Sequence, residues 1–171
     1  MGLFANLTRK RTATPAPPIR NVTLVEDTWS FVGEGGKEVE GRGYLFTDGD
    51  GDPILNREEE SGYVAGLDAI VVKVAGVSYR SDALQLPVFD PLRPLRLIPE
   101  PTNPHDPNAV GVWDETGRVQ LGYVPKEFAP LVAQAMRTGL PRQAMSLWEW
   151  RKEGQRCGLR IVIAPGLVRP S

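Results

Sequence analysis

One cysteine and one histidine, Cys157 and His105, stand in the 171 residues of this chain. A lone cysteine excludes an intrachain disulfide, and a reducing compartment is the expectation. One Cys and one His cannot build a zinc site. A hydrolase triad would have to use His105, and no nucleophile elbow accompanies it. An excess of charge is lacking too, because 20 Lys and Arg against 21 Asp and Glu leave a net charge of −1. That balance argues against bulk adhesion to nucleic acid, although a neutral protein can carry a local basic surface. No apolar run reaches the length of a membrane span, and Met1–Leu7 is too short and has no charge before it to be a signal peptide. The expectation is a soluble, cytoplasmic protein that is not an enzyme, uses no metal or cofactor, and makes no membrane contact.

Pro and Gly are plentiful, at 16 and 18 residues, and favour many turns and short elements over long helices. With 41% hydrophobic residues and four Trp, the chain is long enough to bury a core without staples. Charge is unevenly spread. Residues 1–20 hold Arg9, Lys10, Arg11 and Arg20 and no acid, while residues 21–66 hold eleven acids against three bases. Residues 137–171 reverse this, with seven bases against two acids. Three segments follow: a flexible basic arm at 1–20, an acidic β-rich extension at 21–66, and a main domain at 67–171.

In the extension, Val22–Val25, Trp29–Val32 and Gly43–Phe46 read as short strands that either join the main sheet or cap it. Ala69–Tyr79 is a Val- and Ile-rich run that reads as a strand bending at Gly76. Residues 82–94 read as a loop. Strands follow at Leu95–Ile98, Ala109–Trp113 and Arg118–Val124, with a hairpin turn at Asp114–Gly117. Phe128, Leu131, Val132, Ala135 and Met136 make one helical face, entered at Pro125 and stopped at Gly139, with Pro130 splitting off a first turn. Met145–Trp150 and Gly158–Ala164 are two more strands, joined by the basic turn Arg151–Arg156. The fold class is mainly β (α+β), a small OB- or SH3-like barrel with one or two short helices.

Two motifs fail on inspection. Gly36-Lys37 lacks the Ser or Thr that ends a phosphate loop, and Phe31 stands where its first Gly belongs. Asp48, Asp50, Asp52 and Glu59 fall at positions 1, 3, 5 and 12 of a calcium loop, but Pro53 occupies the position that needs Gly. A solvated turn is the better reading.

The segment Glu100-Pro101-Thr102-Asn103-Pro104-His105-Asp106-Pro107-Asn108 packs turn formers between two strands and must be a rigid loop. With Gly76-Val77-Ser78-Tyr79, Leu97-Ile98-Pro99 and Gly117-Arg118-Val119-Gln120-Leu121-Gly122-Tyr123-Val124-Pro125-Lys126-Glu127, it resembles the HIRAN domains over about residues 69–164. These occur in DNA-remodelling helicases and as stand-alone bacterial proteins. The resemblance implies an OB-like barrel that captures the 3′ end of single-stranded DNA, a setting in DNA repair, and a helicase or nuclease partner to supply any processing. By position, Asp106 would accept a hydrogen bond from the 3′-hydroxyl, and Tyr79 and His105 would contact the last bases. Asn103 would sit beside them, Tyr123 would line the pocket, and Lys126 would contact the backbone. The family commonly has Tyr where this chain has His105. A protein–protein adaptor on the same barrel is the alternative.

Overall fold

The computed structural model describes residues 23–47, 49–51, 62–64, 69–140 and 142–165. The basic arm and, of the acidic run, Asp48, Asp52 and Glu59 lie outside the described residues. Within them the protein is mostly β, with nine strands in one antiparallel sheet: β1 (Thr23–Val32), β2 (Glu38–Thr47), β3 (Gly62–Tyr63), β4 (Ile70–Lys73), β5 (Pro94–Pro99), β6 (Val110–Asp114), β7 (Gln120–Tyr123), β8 (Gln143–Lys152) and β9 (Gln155–Ala164). Two helices accompany them, α1 (Ser81–Leu84) and α2 (Ala129–Arg137). The main path runs β3-β4-β9-β8-β5-β6-β7, and β2 branches from β8 with β1 outside it.

The sheet curls into an OB-like half-barrel because its two ends meet. Ala75, two residues past β4, exchanges both backbone hydrogen bonds with Tyr123 on β7, each 2.9 Å. Gly122 permits the approach, since a Cβ there would collide with the Ala75 carbonyl. Inside the curl lie Val72, Val74, Leu95, Leu97, Val112, Leu121 and Ile161, and α2 closes it with Ala129, Val132 and Ala133. Each large apolar side chain buried here contributes roughly 1.5–3 kcal/mol.

β4, β8 and β9 are apolar on both faces. Their outer face presents Val71, Met145, Leu147, Trp148 and Val162, and Leu45 and Phe46 of β2 cover it, with Trp29 of β1 edge-on to Trp148 at 6.1 Å. The acidic extension therefore adds strands to the sheet and buries its second face. β1 is one ten-residue strand rather than two short ones, since every residue from Thr23 to Val32 pairs with β2.

Three local expectations change. Val77–Arg80 is a 3-10 helix, not a strand, because Gly76 turns the chain at φ 78. The expected loop at 82–94 contains most of α1 and a second 3-10 turn, Pro87–Phe89, that buries Phe89. Pro130 does not split α2, because it sits in the first turn, where its missing N–H has no partner to lose. The stop at Gly139 holds: its N–H bonds Met136 O, and Leu140 N–H bonds Ala135 O.

The hairpin turn after β6 is organised by Asp114, a buried carboxylate. It accepts hydrogen bonds from the Thr116 hydroxyl at 2.5 Å and from the N–H groups of Thr116, Arg118 and Val119 at 3.2, 2.8 and 2.8 Å. Burial pushes its pKa up, but those donors outweigh it and hold the carboxyl down at about 2. A depressed carboxylate stabilises the fold above its unfolded pKa and loses that contribution as pH falls through the folded value. Stability should therefore drop by about 1–2 kcal/mol between roughly pH 4 and pH 2, after allowing for solvent screening at a turn. Thermal melts across that range check this: Asp114→Asn should be less stable at pH 7 and flatter with acid, and an unchanged acid slope would overturn it.

Candidate nucleic-acid interface

The bridge that closes the curl also gathers the candidate residues. Tyr123 lies at the end of β7, on the bridge itself. Tyr79 lies four residues past Ala75 on the 3-10 helix Val77–Arg80, whose N–H of Tyr79 bonds Gly76 O. Its side chain is 92% exposed, which is extreme for an aromatic residue in a packed fold. Lys126 lies three residues past Tyr123, exposed in the turn that leads into α2.

The loop between β5 and β6 supplies the rest, and its turn chemistry holds it rigid. Asn103 Oδ1 accepts from the N–H groups of His105 at 3.0 Å and Asp106 at 3.3 Å. Asp106 Oδ1 accepts from Asn108 N–H at 2.8 Å. These side chains satisfy backbone donors that no strand reaches. Backbone bonds close the loop at both ends, Glu100 N–H to Ala109 O at 2.8 Å and Ala109 N–H to Asp106 O at 3.0 Å. Arg137 at the end of α2 reaches Asn108 Oδ1 at 3.4 Å. The second oxygen of Asp106 has no protein partner among the described residues, and the His105 side chain is exposed beside it in sequence.

Glu100 ties the loop to the bridge. Its Oε2 accepts from Asn103 Nδ2 at 2.9 Å and from the Tyr123 hydroxyl at 3.3 Å, and its Oε1 accepts from Gln120 Nε2 at 3.4 Å. Asn103 and Tyr123 thus meet on one carboxylate, and His105 and Asp106 hang from Asn103. Tyr79 and Lys126 lie four and three residues along the chain from the two sides of the bridge and touch none of the others through a hydrogen bond. Sequence reasoning read Glu100 only as part of the turn. An acid at a strand end, flanked by Pro99 and Pro101, is the signal it carried.

These residues offer a hydrogen-bond acceptor at Asp106, exposed flat groups at Tyr79 and His105, and an exposed cation at Lys126. It has no nucleophile–base pair, and no group of His, Cys, Asp or Glu among the described residues is placed to hold a metal. Nor is any described helix long and apolar enough to cross a membrane.

The family model of the HIRAN domain matches residues 67–164, more than half of the chain. Among solved structures, the chain is similar to the HIRAN domain of human HLTF, at 22% identity over 56% of this chain and 74% of that one, with a TM-score of 0.42. It is also similar to a protein from Lactobacillus plantarum, at 23% identity over 54% of this chain and 89% of that one, with a TM-score of 0.41. No curated protein matches it.

Proposed function

The chain belongs to the HIRAN domain family, a binding family known for DNA, and from that premise we propose that it binds single-stranded DNA at a free 3′-hydroxyl end. The observation that carries the reading is the Asn103–Asp106 turn. It spends one Asp106 oxygen on Asn108 N–H and leaves the other for an incoming donor. A carboxylate accepts from a hydroxyl and repels a phosphate, so it selects an unphosphorylated end.

The other residues divide the remaining work. Tyr79 stacks on a base whatever its identity, and His105 offers a second flat group. Glu100 orients Asn103 and Tyr123 and so shapes the pocket wall. Lys126 attracts the backbone without reading it. A binding module of this kind acts on DNA through a partner that carries a helicase or nuclease activity.

A titration of the wild-type protein with labelled oligonucleotides tests the reading. A strand with a free 3′-OH should bind roughly tenfold or more tighter than the same strand bearing a 3′-phosphate, since the hydrogen bond to a charged group is worth about 1.5–3 kcal/mol. Equal affinities, or no binding to either, would sink it and leave the barrel as a protein–protein module.

A further inference from the structure

The loop and the Tyr123 bridge border an outer sheet face that the end-binding reading leaves unused. On β5, Leu95 and Leu97 point into the core, so Arg96 and Ile98 point outward, and Glu100 follows one residue past the strand. On β6, Val110 and Val112 point inward, which leaves Gly111 and Trp113 outside. The strand register sets these in two rungs: Arg96 opposite Trp113 opposite Gln120, and Ile98 opposite Gly111 opposite Tyr123. The second rung touches the candidate site directly, because the Tyr123 hydroxyl and Asn103 share Glu100.

Trp113 folds back along the strand over Gly111. A Cβ at Gly111 would stand 2.5 Å from the indole Nε1, and 3.0 Å from both Gln120 Nε2 and Glu100 Oε1. The missing side chain is what lets the indole lie down on the sheet. Its N–H is buried and unpartnered, so the part of Trp113 that meets solvent is ring carbon. Arg96 is exposed beside it, with its guanidinium over Gly117 and no acid paired with it among the described residues. Arg118 is exposed on the same hairpin. A partly exposed indole beside Arg96, which has no acid partner among the described residues, is poorly explained as core packing, and it suits a strand of stacked bases with an anionic backbone.

We propose that Trp113 is a second base-stacking platform, with Arg96 as its phosphate contact, and that it binds the body of the DNA strand whose 3′ end sits at Asp106. The proposal rests on the end-binding reading and extends it. Glu100, one residue past β5, and Arg96 stand four positions apart, about 13 Å, so Arg96 lies beyond the terminal nucleotide and the indole over Gly111 lies between it and the end site. The strand would leave the loop, cross Tyr123, and continue over Trp113 toward the Asp114–Gly117 turn. Ile98, half-buried at the end of the second rung, flanks that path.

Anisotropy titrations with 3′-OH strands of about 2 and about 12 nucleotides separate the two subsites, since only the longer one reaches past Tyr123. Trp113→Ala should weaken the longer strand roughly tenfold, leave the shorter one within about twofold, and keep the preference for 3′-OH over 3′-phosphate. Trp113→Phe keeps a flat ring and should hold most of the longer strand's affinity. Arg96→Gln should lower the salt slope for the longer strand by about 1. Thermal melts establish that each variant is folded, and Arg96→Gln alters no buried group. If the longer strand ignores Trp113→Ala and Arg96→Gln while 3′-OH selectivity persists, the platform is wrong and the end site stands. If selectivity is absent but Trp113→Ala still weakens the longer strand, the end site is wrong and the platform stands. Equal weakening of both strand lengths by a folded Trp113→Ala overturns the platform as a separate subsite.

Discussion

Arg156→Ala should cost the fold about 3–5 kcal/mol, the largest loss expected from any single side chain outside the apolar core. Arg156, on β9, is buried against the α1 segment and donates there from all three of its side-chain nitrogens. Its Nε pairs with Glu149, its Nη2 with Asp90, and its Nη1 donates to Leu84 O at 2.6 Å and Leu86 O at 3.2 Å. Gln85 completes the clamp from the other side, donating to Arg156 O at 2.8 Å and accepting from Arg156 N–H at 2.9 Å. Removing the guanidinium takes the donor from Leu84 O, while Leu86 O keeps its bond from Phe89 N–H, and it leaves Glu149, wholly buried, with Arg42 and Arg151 at its other oxygen as its ion-pair partners among the described residues. In the native protein burial pushes the Glu149 carboxyl up, and the hydrogen bonds and charges of Arg151, Arg42 and Arg156 more than reverse it, so its pKa is lowered. The contribution of this network is thus present above the unfolded carboxylate pKa and fades as pH falls through the lowered one. Arg156→Lys should rescue little, because a single ammonium cannot serve acceptors on three sides. Urea denaturation at pH 7 measures the loss, and a change under about 1 kcal/mol would show that the network contributes nothing net. The functional consequence is local: Leu84, Leu86 and Asp90 follow directly on the turn that displays Tyr79, so a loosened clamp frees that aromatic as well.

That clamp shows where reading the chain reaches its limit. Arg151–Arg156 reads as a basic turn, and the turn is only Glu153-Gly154, both at positive φ, with Arg151 and Arg156 on the strands. Nothing local distinguishes an arginine that snorkels from one sealed under a helix, because its partners lie about 70 positions away in sequence. The strands from Leu95 onward were legible because period-two alternation and turn residues agree there. Tyr79 reads as the end of a strand because the Val and Ile run resumes after Lys73 and again after Gly76, and that single glycine is what ends the strand. β1 was divided because Glu26-Asp27-Thr28 interrupts its apolar residues, which an edge strand tolerates since its outer side meets water. Of the site, the loop was legible as turn chemistry, and the hydrogen bonds of Asn103 and Asp106 follow from it. The part played by Glu100 was not, since it depends on Tyr123, 23 positions later, folding back across the sheet.

Asp106→Ala and Lys126→Ala should fail in different ways, and the difference separates recognition from attraction. Asp106→Ala removes the acceptor for the terminal hydroxyl, so affinity for a 3′-OH strand should fall about ten- to a hundredfold. The same change removes the negative charge that opposes a 3′-phosphate, so that strand should bind no worse and the preference between the ends should flatten. The substitution also deletes the acceptor for Asn108 N–H, a loss of about 1 kcal/mol to the loop. Asp106→Asn controls for that, because its amide oxygen can still accept from Asn108 while its charge is gone. It should keep stability and part of the 3′-OH affinity but lose the discrimination against phosphate. Lys126→Ala should weaken both strands alike and reduce the salt slope by about 1, because a backbone contact carries no information about the end. Lys126 is exposed and makes no hydrogen bond or ion pair with its side chain among the described residues, so its removal should leave thermal stability unchanged. If Asp106→Ala instead weakens both strands equally and Asp106→Asn retains full end preference, the carboxylate only builds the loop, and another group on the rim must read the 3′ end.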